Sequence, residues 1–163
     1  MRSIYTKNIT LSALFAALIF IAIMFFHVPN GFGGFIHFGD ALIFISASIL
    51  PFPFAIPVAM VGAGMFNLLR GPMWLPFTVV IKPLMTLCFT SKSKKILIKR
   101  NIFAPFAAAF INTVLYFGAN IILFDIYAAI GAFIPLLIQG AGSIVFYFII
   151  ALALDRSGVK KLL

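Results

Sequence analysis

The chain has 163 residues, of which 64% are hydrophobic and 9% charged, with a formal net charge of +9 and a mean hydropathy of +1.20. Soluble domains usually carry about 25% charged residues, so this composition excludes an ordinary globular domain and points to a chain whose solvent is a bilayer. The length allows one domain, and the lone Cys88 excludes a disulfide framework or a multi-cysteine metal site.

The charge is not distributed as a nucleic-acid-binding face would be. Every basic residue except Arg70 and Lys82 lies in one of three short stretches beside apolar runs: Arg2 and Lys7, Lys92 to Arg100, and Arg156 to Lys161. That is the pattern of charge kept on the cytoplasmic side of a membrane. The expected partner is therefore the lipid bilayer, and nucleic acid is not expected.

A spanning helix needs about 20 apolar residues. The first candidate, 9–26, ends in Phe25-Phe26-His27-Val28-Pro29 with no small-residue cleavage site, and it reads as a retained span rather than a signal peptide. The segment that follows carries Gly31, Gly33, Gly34 and Gly39 and can bend sharply at low steric cost; it is either a flexible connector or irregular backbone that lines a cavity. The next uncharged run, Ala41 to Leu69, is too long for one span and too short for two full ones. Charge parity decides between them. The N-terminus and the Lys92 to Arg100 loop both read as cytoplasmic, so an even number of crossings separates them. Two short spans, 35–50 and 53–70, then meet at the turn Pro51-Phe52-Pro53. Spans at 73–90, 102–123 and 133–154 complete the set. The expected fold is an all-α integral membrane protein, a compact six-transmembrane-helix bundle over 1–163 with N- and C-termini cytoplasmic.

In so apolar a chain, the polar residues inside spans carry most of the information, because each costs several kcal/mol unless it faces protein, water or a partner. Lys82 lies nine residues past Met73, about 14 Å along a helix and near mid-bilayer, so it must point into the bundle. It is either half of a structural ion pair or a ligand contact. Asp40 is the one acid expected within a span. It is its natural counter-charge, unless it serves as an N-cap for Ala41 onward. His37, three residues earlier, would lie near that face if the helix begins that early. Asn112, Tyr116 and Asn120 recur every four residues on the fifth span, and Gln139, Ser143 and Tyr147 do so on the sixth. Asn67 and Arg70 close the third span beside Trp74, which could be an interfacial anchor instead. Together these residues predict a polar, aromatic-lined cavity in the outer half of the bundle, suited to a small flat polar molecule. On the first span Ala13 and Ala17 form a small-xxx-small pair, either packed inside the bundle or offered to a partner helix.

Several chemistries are missing. The sequence has no GxxxxGK[ST] loop, no HExxH, no GxSxG and no paired carboxylates, so no enzyme and no ATP hydrolysis of its own are expected. Intramembrane acids are too few for a self-sufficient proton-coupled transporter. A stand-alone facilitator or pore is the alternative, but it would need a polar path through inner halves such as Phe44 to Leu50, which are nearly all apolar.

The stretches Gly34-Phe-Ile-His37-Phe-Gly39-Asp40, Gly62-Ala-Gly64-Met-Phe-Asn67-Leu-Leu-Arg70-Gly71 and Trp74-Leu-Pro76-Phe-Thr78-Val-Val-Ile-Lys82, with Ala13-x-x-x-Ala17, complete the picture. The chain resembles the substrate-binding (S) components of energy-coupling factor (ECF) vitamin transporters, in the branch of the riboflavin and hydroxymethylpyrimidine types. The likeness is strongest over 7–90. It implies a capture subunit in the plasma membrane of a prokaryote, for a small water-soluble vitamin or precursor such as hydroxymethylpyrimidine or pyridoxine, with riboflavin a further candidate. The implied substrate contacts are His37, Asp40, Asn67, Arg70, Trp74, Lys82, Asn112, Tyr116, Asn120 and Gln139. The segment with Gly31, Gly33 and Gly34 becomes the gate. Ala13 and Ala17 become the docking face for a transmembrane coupling protein, and two cytosolic ATPase subunits use the ATP, so no cofactor belongs to this chain. At position 67, often acidic in such proteins, this chain has Asn.

Overall fold

The computed structural model describes residues 2–29 and 35–162. Among these residues six helices carry the fold: α1 (Arg2–Phe25), α2 (Gly39–Ile49), α3 (Phe52–Arg70), α4 (Leu75–Thr86), α5 (Lys99–Leu123) and α6 (Ile126–Ser157). A short α7 (Val159–Leu162) follows α6, and a 3-10 turn, Pro72–Trp74, leads into α4. Two three-residue strands, β1 (His27–Pro29) and β2 (Phe35–His37), pair antiparallel between α1 and α2, with His27 opposite His37. Gly31, Gly33 and Gly34 lie outside the described residues.

By length and composition Ile4–Phe25 of α1, α3, α5 and α6 are long and apolar enough to cross a membrane; α2 is apolar but short. The helices depart from the expected spans in several places, beginning with α1, which starts at Arg2 rather than at 9. Residues 35–37 extend into the β-ribbon, so α2 starts only at Gly39. Helix α4 stops at Thr86, because side chains of α5 take up the backbone beyond it. The Arg100 guanidinium donates to the Leu87 and Cys88 carbonyls, and Asn101 bonds both the N–H and the C=O of Thr90. Helix α6 begins at Ile126 rather than near 133, since Asp125 caps it by accepting from the Ala128 N–H, and it continues through Pro135. Its 32 residues span about 48 Å, well beyond a hydrocarbon layer of about 30 Å. Gly158, at φ 69°, closes it in the left-handed conformation that glycine adopts without penalty.

The three basic stretches gather at one end. Tyr5 packs edge-on against Phe54 at 5.6 Å, and Lys160 Nζ donates to the Ser48 carbonyl at 2.6 Å and the Lys95 carbonyl at 3.3 Å. Asp155 accepts the N–H groups of Ile96 and Leu97, so the basic loop is strapped to the end of α6. The β-ribbon lies at the other end, where His27 and His37 both approach the Phe66 ring. Trp74 packs there on Phe124.

Ile19, Ile23, Phe44, Ala59, Met85 and Tyr147 belong to the buried core. Large apolar side chains such as Phe103, Phe110, Ile122 and Ile138 face outward. In water that surface would drive aggregation, whereas lipid tails cover it without cost. Helix α1 touches α3 closely: a Cβ built on Gly62 would sit 2.8 Å from Ile19 Cβ and 3.0 Å from the Ala16 carbonyl. Gly62→Ala is therefore expected to push α1 outward and cost about 1–3 kcal/mol, read as a lowered thermal midpoint in detergent. An unchanged midpoint would show that the two helices separate freely.

Candidate functional site

The polar residues of α2 to α6 meet in one buried network toward the ribbon end. Asp40 sits in the first turn of α2, where the helix dipole favours a carboxylate. It does not cap that helix: the N-cap is Phe38, which makes no side-chain capping bond, and the carboxylate points inward. Asp40 Oδ1 accepts from Lys82 Nζ at 2.6 Å, and its Oδ2 accepts from Gln139 Nε2 at 2.8 Å. Lys82 donates further to Asn112 Oδ1 at 2.9 Å and lies over the Tyr116 ring, 5.1 Å from its centre. Both members of the ion pair are 2% exposed, and in this structure they neutralise each other. Burying either charge alone would cost several kcal/mol; their attraction, with the two amides taking up remaining valences, offsets that.

A second branch leaves Tyr116. Its hydroxyl and that of Thr78 are 2.6 Å apart, and Asn67 donates to Thr78. Thr78 is a member of this network not expected from the sequence, although it lies one helical turn before Lys82 on the same face, in a stretch otherwise apolar. Trp74 is 4% exposed and packs on Tyr116 at 5.9 Å, so it is a wall of the site and not an interfacial anchor. Asn120 donates to the Tyr116 carbonyl. The structure does not bring in Arg70, whose side chain is exposed at the end of α3, a full turn beyond Asn67. Among the described residues His37 Nδ1, Asn120 Oδ1 and Ser143 Oγ are buried without a hydrogen-bond partner. Such atoms carry unmet bonding capacity, which a bound molecule or water would satisfy.

Toward the basic end the polar character stops. Phe44, Phe89 and Tyr147 form an aromatic cluster with ring centres 5.1 to 6.1 Å apart. At this level Ser46 and Ser48 donate to carbonyls of their own helix and Thr86 donates to the Pro83 carbonyl, while the Tyr147 hydroxyl lies 3.2 Å from that of Ser48. Ala13 and Ala17 lie far from the network, exposed on the side of α1 turned away from the bundle, while Ala16 faces Gly62.

Apolar helices that turn their polar side chains inward and their large apolar ones outward make this a multi-pass membrane protein. The family model of the ECF-type riboflavin transporter S component matches residues 3–157, and the chain belongs to that family. It is thus a transport protein, the substrate-capture subunit of an ECF importer, and its family is not an enzyme class. No curated protein and no solved structure matches the chain.

Proposed function

We propose that this S component captures a small aromatic vitamin or precursor from outside a prokaryotic cell, with hydroxymethylpyrimidine or pyridoxine preferred to riboflavin. The observation that carries this reading is the compact buried network of Asp40, Lys82, Asn112 and Gln139 beside the Tyr116 and Trp74 rings. A single heteroaromatic ring placed there meets a charged pair, two amides and an aromatic face at once. A three-ring ligand would have to displace far more of the same side chains. His37 and Asn120, with their unsatisfied atoms, are further contacts in this reading.

The gathering of the three basic stretches at one end supports six crossings with both termini cytoplasmic and the ribbon outside. In that orientation the site faces out, residues 27–39 gate it, and Ala13 and Ala17 dock on the ECF coupling protein. Two cytosolic ATPase subunits then supply the energy. The aromatic cluster below the site argues against a stand-alone facilitator, because a polar solute would have to cross it unaccompanied.

Titration calorimetry of the purified protein with hydroxymethylpyrimidine, pyridoxine and riboflavin tests the substrate. Saturable binding of one of the first two is expected. Binding of riboflavin alone would overturn the preference, and silence with all three would overturn the substrate class. Vesicles holding only this chain are expected to show no flux of the bound compound; flux would restore the facilitator.

A further inference from the structure

The basic end contains a cavity of about 470 Å³ between the α2–α3 turn and the segment that follows α4. It is separated from the polar network by the Phe44, Phe89 and Tyr147 cluster and plays no part in the proposed capture of substrate. Its lining has two chemical halves. Lys92, Arg100, Thr90 and Ser91 supply two positive charges and two hydroxyls, and none of the chain's three acids lines it. Leu50, Phe52, Leu87 and Phe89 supply the apolar half, and Phe52 and Leu87 are 56% and 42% exposed.

We propose that this cavity binds the phosphate-bearing headgroup of an anionic phospholipid. Arg100 is already fixed at its wall: Nε donates to the Cys88 carbonyl at 2.9 Å and one terminal nitrogen donates to the Leu87 carbonyl at 2.7 Å. These bonds use two of the guanidinium's five N–H groups and hold the others in a fixed fork that suits phosphate oxygens. Lys92, exposed at the rim, adds a second positive charge. A phosphodiester at this level leaves its acyl chains to run along Leu87 and Phe52, which a free phosphate ion would leave uncovered. An acidic protein segment would satisfy the charges but not that apolar flank. The position also suits a lipid, since basic pockets between helix ends at the cytoplasmic face are where anionic headgroups are held.

The site lies between two connections, Leu50–Pro53 and Thr86–Lys92, and an occupant touching both ties them together. Occupancy therefore stabilises the folded bundle. The test is thermal unfolding of the full chain, purified in neutral detergent, with phosphatidylglycerol, phosphatidylcholine or inorganic phosphate added. Phosphatidylglycerol at a hundredfold excess over its Kd is expected to raise the midpoint by about 5–10 °C, and the other two to leave it in place. Lys92→Gln, which removes no hydrogen bond of the fold, is expected to lose most of that shift, and Lys92→Gln with Arg100→Gln all of it. An equal shift with phosphatidylcholine or with inorganic phosphate would overturn the proposal, as would a full shift in Lys92→Gln. So would amine labelling of Lys92 that phosphatidylglycerol leaves unchanged and only the assembled coupling protein blocks. Ligand binding at the ribbon end is expected to be the same in Lys92→Gln, so failure here leaves the capture function standing.

Discussion

Replacing Lys82 with alanine is expected to abolish ligand binding and to destabilise the protein by about 3–5 kcal/mol, the largest single-residue effect in the bundle. Among the described residues its side chain is the only cation bonded to Asp40, and it also serves Asn112 and Tyr116. Its loss leaves Asp40 with one amide partner in a site that is 2% exposed. The carboxylate then takes up a proton or draws in water, and either outcome dismantles the geometry a ligand would meet. Thermal unfolding in detergent and calorimetric titration of the same preparation separate the two effects. Lys82→Met with Asp40→Leu is expected to regain much of the stability, because an apolar pair of similar volume carries no unpaired charge, yet to bind nothing. Ser143→Ala, which removes a hydroxyl without a hydrogen-bond partner, is expected to weaken binding far less. Binding that survives Lys82→Ala would reduce the ion pair to scaffold.

The second large effect is expected at the opposite end of the mechanism. Ala13→Trp with Ala17→Trp should leave ligand affinity within about twofold and reduce ATP-driven uptake by roughly ten- to a hundredfold, the equivalent of about 1–3 kcal/mol of overpacking in a helix interface. Both alanines are exposed on α1, and the contacts of that helix with α3 run through Ala16, Ile19 and the facing Gly62. Bulk added at 13 and 17 therefore meets no part of this chain, only a helix that tries to pack against it. Uptake is measured in cells or vesicles carrying the whole transporter, and binding is measured on the isolated subunit. Normal uptake would place the coupling face elsewhere; lost binding would mean that the face supports the site from within.

Asp40, Lys82, Asn112, Tyr116 and Gln139 are all legible in the sequence alone as polar groups turned into the bundle, and for one reason. In a chain this apolar a polar side chain inside a helix has to turn inward, and helical spacing says which of them share a face. Thr78 escapes such a reading because a threonine among apolar residues can satisfy its hydroxyl on its own helix, as Thr86 does; nothing local distinguishes the two. Arg70 reads as a contact because it follows Asn67 by three residues, but at the last turn of α3 its side chain is exposed rather than turned into the network. The β-ribbon is equally hidden. Three residues per strand carry no usable periodicity, and the pairing of His27 with His37 exists only once the chain has folded back on itself.

Composition and periodicity by themselves determined the solvent, the helical class and the list of inward-turning polar groups, because the cost of burying charge or exposing apolar surface is paid residue by residue. Which groups bond to one another was decided only by the tertiary structure. Asp40 and Lys82 are 42 positions apart and Asp40 and Gln139 are 99 apart, and no local rule relates such pairs. Packing α2 against α4 and α6 brought them within 2.8 Å. The same packing left Ala13 and Ala17 outside, where an amphipathic reading of a uniformly apolar helix has no polar face from which to take its bearings.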